Sequence, residues 1–253
     1  MLYSICSVLA ASGCSCGTRA KEETKPSAAM VGLTERAFIG LLALFLVIAA
    51  LLFAGAGTFD YWQAWVFLAV YFSASFALTL YLVKMDPALL GRRMRGGPWA
   101  EKQPTQRAIM LFASLSFIGL ILLPALDRRF GWSHMSPAVA LAGDLLVALG
   151  WLGIFCVFRE NSFTSATIEL APDQKVISTG PYALVRPMYA SAMIMLLGAP
   201  IALGSWWGVL MLVVMSPALV WRLLDEERFL RANLPGYASY RETVRHRLIP
   251  HDW

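Results

Sequence analysis

Six apolar blocks dominate the chain, at roughly 37–56, 61–83, 108–126, 137–158, 188–204 and 205–223, and polar or turn-forming residues divide them. Each has about the 17–25 residues that carry an α-helix across the hydrocarbon core of a bilayer. Only Gly204-Ser205 separates the last two, so a tight helical hairpin is expected there. Such a hairpin crosses twice or stays partly re-entrant. The pattern therefore predicts an all-α integral membrane protein with five or six transmembrane helices, the hairpin lying C-terminal.

The polar connections set the expected orientation. The 84–107 loop carries Lys84, Arg92, Arg93, Arg95, Lys102 and Arg107, whereas the turn Gly57-Thr58-Phe59-Asp60 carries no basic residue. Basic loops stay on the cytoplasmic side. With six spans, the N-terminus, the 159–187 loop and the C-terminal tail share that side, and the tail agrees through Arg222, Arg228, Arg231, Arg241, Arg245 and Arg247. Arg128 and Arg129 in an opposite loop dissent mildly. Gly91, Gly96, Gly97, Pro98 and Pro104 interrupt the 84–107 loop, which predicts a short interfacial segment with Trp99 at headgroup depth.

Composition strengthens this reading. Of 253 residues, 58% are hydrophobic and 15% charged, more apolar than an ordinary soluble domain can cover. Nine Trp and eight Tyr supply rings that favour bilayer interfaces. The net charge of +5 falls between apolar blocks rather than along a stripe, so it reads as topology and not as a nucleic-acid surface. Cys6, Cys14, Cys16 and Cys156 form no paired CxxC motif, and His134, His246 and His251 are scattered. Neither a metal site nor a disulfide framework is expected.

Residues 1–35 differ in character from the remainder of the chain and read as a disordered N-terminal extension, or as the product of a start placed too far upstream with Met30 as the real beginning. A lipoprotein-like signal acylated at Cys14 fits less well, because no basic residue precedes the apolar run and position 11 is Ala. Residues 36–149 then hold N-terminal spans and the basic loop, and 150–253 hold the chemistry-bearing stretches.

The first such stretch runs from Glu160 to Tyr189, with turn residues at Pro172-Asp173 and Gly180-Pro181. Val176-Ile177 reads as a short extended piece. Pro187 suits the first turn of the next helix, and a helix start beside Arg186 is a ready site for an anion. The second stretch is Trp221 to Phe229, where Arg222 and Glu226, four apart, share one helix face. Both stretches are expected on one side of the membrane.

Together these blocks resemble the isoprenylcysteine carboxyl methyltransferase family and its bacterial relatives, which share a C-terminal pattern with membrane phospholipid methyltransferases. The resemblance rests on Gly180-Pro181-Tyr182, Arg186-Pro187-Met188-Tyr189, the apolar hairpin, Glu226-Glu227, Tyr237-Ala238-Ser239-Tyr240 and Arg247-Leu248-Ile249-Pro250, and covers roughly 150–253. It implies an S-adenosyl-L-methionine pocket at the cytoplasmic face and a lipophilic or lipidated substrate entering from the bilayer. By the same resemblance, Gln174, Lys175, Val176, Ile177 and Tyr182 line the cofactor. Arg186, Pro187, Met188 and Tyr189 supply helix-start contacts, Glu226 with Glu227 meets the cofactor's ammonium, and Arg222 orients the substrate carboxylate. Between Arg186 and Pro187 the family's histidine is absent, which removes one polar contact and puts turnover in question.

Methyl transfer from a sulfonium is a direct displacement that mainly needs alignment of donor and acceptor. A carboxylate acceptor is already ionised near neutral pH, whereas an amine must first lose a proton. The sequence leans toward carboxyl O-methylation, with phospholipid or amine N-methylation as the alternative. A transporter or non-enzymatic membrane protein is the third reading, and the shortage of intramembrane charge beyond Asp144 speaks against transport. A lone Asp144 near a span end is expected at the interface. Localisation in a bacterial inner membrane with both termini cytoplasmic completes the expectation.

Overall fold

A computed structural model of the protein describes residues 26–94, Gly96, Glu101, 103–164 and 187–234. These form seven helices and no strand: α1 (Pro26–Ala56), α2 (Trp62–Met85), α3 (Pro87–Met94), α4 (Pro104–Phe130), α5 (Pro137–Glu160), α6 (Pro187–Ala202) and α7 (Trp206–Asn233). Five of the seven open on proline, whose fixed φ suits the first turn and whose missing N–H is not needed there. The 84–107 connection is shaped as its glycines and prolines predict: a helix of eight residues, α3, and then non-helical backbone at Gly96 and Glu101. Trp99 lies outside the described residues.

Among the described residues, five helices are long and apolar enough to cross a membrane: Val31–Ala56, Trp62–Met85, Pro104–Phe130, Pro137–Glu160 and Trp206–Asn233. The protein is an all-α integral membrane protein. The sixth apolar helix, α6, has 16 residues and so a length of about 24 Å, short of the ~30 Å hydrocarbon core. Its shortness gives the hairpin unequal arms.

Exposed large apolar side chains recur every three or four residues along the outer faces, as with Ile39, Leu42 and Leu46 on α1 and Leu141, Leu145, Leu149 and Leu152 on α5. A water-soluble fold would bury such stripes, and here they face lipid. Inside, aromatic pairs tie α2 to α5 through Tyr71–Trp151, with ring centroids 5.4 Å apart, and Tyr81–Phe155 at 4.9 Å. Phe45 and Phe72 join α1 to α2.

Helices α5 and α6 approach each other closely. A Cβ on Gly143 would lie 2.2 Å from the Ala202 nitrogen, one on Gly150 2.5 Å from Met195 Cβ, and one on Gly198 2.7 Å from the Gly143 carbonyl oxygen. In lipid, where no hydrophobic effect drives helices together, such small-residue seams allow the backbone contact that holds them.

One end of the bundle is fastened by the α6–α7 turn. Gly204 adopts φ 77°, a conformation glycine accepts readily, and Ser205 caps α7 by accepting a bond from the Gly208 N–H at 3.1 Å. The Ser205 hydroxyl donates to Asp127 at the end of α4, and the same carboxylate accepts the Ser133 N–H at 2.7 Å. Tyr61 donates to the Leu203 carbonyl at 2.6 Å. Burial, and then the Asp127 charge, raise the Tyr61 phenol above its ordinary range, which keeps it a neutral donor. Trp62, Trp65, Trp132, Trp206 and Trp207 are exposed around this end and form an aromatic belt.

Asp144 departs from expectation. It is 5% exposed, eight residues into α5, and both its carboxylate oxygens lack a hydrogen-bond partner among the described residues. It is packed in the bundle rather than placed at the interface.

Candidate functional site

The opposite end gathers α3, the start of α4, the end of α5, the start of α6 and the end of α7. Arg93 of α3 stands 5.0 Å over the Phe158 ring near the end of α5, and Arg92 donates to the Ser162 carbonyl just beyond it. The two arms of the hairpin return to this end because each begins or ends at the Gly204 turn, so their sequence-distant polar residues meet.

The central contact is between the arms. The Tyr189 hydroxyl, in the first turn of α6, donates to Glu226 Oε2 on α7 at 2.5 Å. A bond this short to an ionised acceptor belongs to the stronger class of hydrogen bonds. It fixes the Glu226 carboxylate against the start of α6.

Arg222, one turn before Glu226, is held from the other side. Its Nη2 lies 2.9 Å from Glu101 Oε1, and its Nη1 donates to Gln106 Oε1 at 3.1 Å. Gln106 Nε2 in turn donates to Asp225 Oδ2 at 2.5 Å, and Arg228 reaches Asp225 Oδ1 at 3.0 Å. The Glu101 backbone is anchored too, its carbonyl accepting from Arg107 Nε at 2.8 Å. The Glu101 side chain is 3% exposed and that of Arg222 14%, so this ion pair is shielded from water. Gln106 is likewise buried.

The predicted site residues divide by position. Tyr189, Arg222 and Glu226 come together at this end, Glu227 follows Glu226 on α7 and is buried, and Met188 packs against the apolar core. Pro187 opens α6. Gln174, Lys175, Val176, Ile177, Tyr182 and Arg186 lie outside the described residues. Glu101, Gln106 and Asp225 were not singled out from sequence. Nothing in their spacing marks them, since Glu101 and Gln106 belong to a segment whose basic residues read as topology and they meet α7 only through the packing of α4 on it.

Among the described residues, Glu101, Asp225 and Glu226 meet here with Arg93 and Arg222. Arg222 is neutralised by Glu101, and Arg228, which meets Asp225, is itself largely exposed. The arrangement favours a cationic group at Glu226 and offers an anion no disengaged Arg222.

Residues 139–235 match the family model described as phospholipid methyltransferase, a family shared by isoprenylcysteine carboxyl methyltransferase-like membrane proteins. The matched stretch contains α6, α7 and the Tyr189, Arg222, Glu226 and Glu227 side chains. Comparison with curated proteins returns no match.

Proposed function

We propose that this chain, a membrane methyltransferase-like protein by its fold and by the family match over 139–235, transfers methyl groups from S-adenosylmethionine to an acceptor that arrives through the bilayer. The observation that carries the reading is the Tyr189–Glu226 bond, which joins the two polar motifs at one end of the bundle. The residues present fit the cofactor: Glu226, with Glu227 beside it on α7, presents negative charge where an ammonium or sulfonium would be held, and Tyr189 fixes its direction. When bound, the cofactor supplies an electrophilic methyl group. The chain's own work is then to bind, orient and exclude water, since a direct displacement depends chiefly on alignment.

Calorimetric titration of S-adenosylhomocysteine into detergent-purified protein tests this. Wild type binds, and Glu226→Ala and Tyr189→Ala lose most of that binding. A folded wild type that takes up no ligand would sink the proposal.

For the acceptor, the geometry favours amine N-methylation over the carboxyl O-methylation toward which the sequence leans. The supporting observation is the Glu101–Arg222 pair, which occupies the guanidinium that a substrate carboxylate would need. An amine would approach as an ammonium attracted to the acids of α7 and would have to give up a proton before its lone pair could accept a methyl group. Those carboxylates offer a nearby place for that proton, whereas a carboxylate acceptor would meet them as like charges. The two products separate on treatment with base: an ester is hydrolysed and an N-methyl product survives.

A further inference from the structure

We propose that Glu101 determines acceptor specificity: by neutralising Arg222 it withholds the guanidinium from acidic lipids and reserves the site for amine-bearing amphiphiles. The proposal deepens the methyltransferase reading and takes its meaning from it, but the observations behind it stand apart from the family match. Glu101 and Gln106 precede residue 139, so the matched segment does not include them.

A guanidinium with an open face at a membrane interface is a strong receptor for carboxylate or phosphate, which it binds through two parallel N–H donors. Both terminal nitrogens of Arg222 are engaged. Glu101 takes one edge at 2.9 Å, Gln106 takes Nη1 at 3.1 Å, and Gln106 is itself locked to Asp225 on the same helix. The Glu101 side chain is nearly inaccessible, and Arg107 holds its backbone. In so shielded a place the attraction between the charges is little screened, and an incoming acid would have to displace a carboxylate already desolvated against the same guanidinium. An ammonium has no carboxylate to displace, and it shares the surroundings of Glu226 with the Arg222 guanidinium, whose charge that acid also meets. It meets Glu226, whose contact with Tyr189 is with a neutral hydroxyl.

Neutralising Glu101 should therefore create an anion site where none operates. The test uses full-length protein in neutral phosphatidylcholine nanodiscs, without cofactor, titrated at pH 7.4 with dodecylamine and with dodecanoate, probes of one tail length and opposite charge. Wild type binds the amine at least about tenfold more tightly, a difference of about 1.4 kcal/mol. Glu101→Gln raises dodecanoate affinity about tenfold, Glu101→Asp keeps the wild-type preference, and adding Arg222→Gln to Glu101→Gln abolishes the gain. A purely structural role for Glu101 would weaken both probes together rather than erase the preference between them. Wild type that binds the two probes equally, or a folded Glu101→Gln with an unchanged ratio, overturns the proposal. Should Glu101→Gln fail to fold, the wild-type titration and Glu101→Asp still decide it. Loss of the amine preference in Glu101→Gln, in protein that binds no S-adenosylhomocysteine, would support the role of Glu101 and overturn the cofactor reading instead.

Discussion

At the scale of single residues, the site depends on which groups are given a partner and which are not. Tyr189 holds Glu226 through one hydroxyl, so Tyr189→Phe removes that bond while keeping the ring. Its expected effect is on cofactor affinity, about tenfold or ~1.4 kcal/mol, with the melting temperature little changed, as calorimetry and a thermal scan would show. Asp144 is the contrary case, a buried carboxyl whose oxygens meet no hydrogen-bond partner among the described residues. Burying such a group costs on the order of 1–3 kcal/mol, so Asp144→Leu should raise thermal stability. A lowered melting temperature would show instead that the carboxyl is satisfied by something bound.

At the scale of elements, α5 and α6 depend on glycine. At Gly150 the Met195 backbone and Cβ occupy the space that a side chain would need, so Gly150→Leu must push α6 away from α5. The expected loss is about 1–3 kcal/mol or more, read as a fall in melting temperature. Because Tyr189 rides on α6, S-adenosylhomocysteine binding should fall with it. Gly32 is the control: nothing lies within 4 Å of its would-be Cβ in α1, and Gly32→Ala should stabilise by up to about 1 kcal/mol through helix propensity.

At the scale of the whole molecule, the bundle has a tied end and a chemical end. The tied end is closed by Tyr61, Asp127, Ser133 and Ser205, and the chemical end by Arg222, Glu226 and their partners. α3, Glu101 and the start of α4 belong to the chemical end, which the distribution of Lys and Arg predicts to be cytoplasmic. In a background with the native cysteines replaced by serine, His134→Cys should react with an impermeant maleimide on sealed, right-side-out membranes and Lys84→Cys only after lysis. The reverse pattern would invert the topology and move the site to the outer face.

Hydrophobic length by itself determined that the chain is a helical membrane protein, because a helix needs a continuous apolar run to cross a bilayer and that run is visible locally. The hairpin was equally legible, since its turn needs only Gly204-Ser205 between two such runs. Glu226 with Tyr189 was reachable through the resemblance. The partner of Arg222 was not: helical spacing suggested Glu226 alone, while the charge it meets at 2.9 Å comes from Glu101, 121 residues earlier in the chain. Only the tertiary structure decided that pairing. Spacing along one helix shows which residues share a face, but the charge opposite that face is set by how separate helices pack.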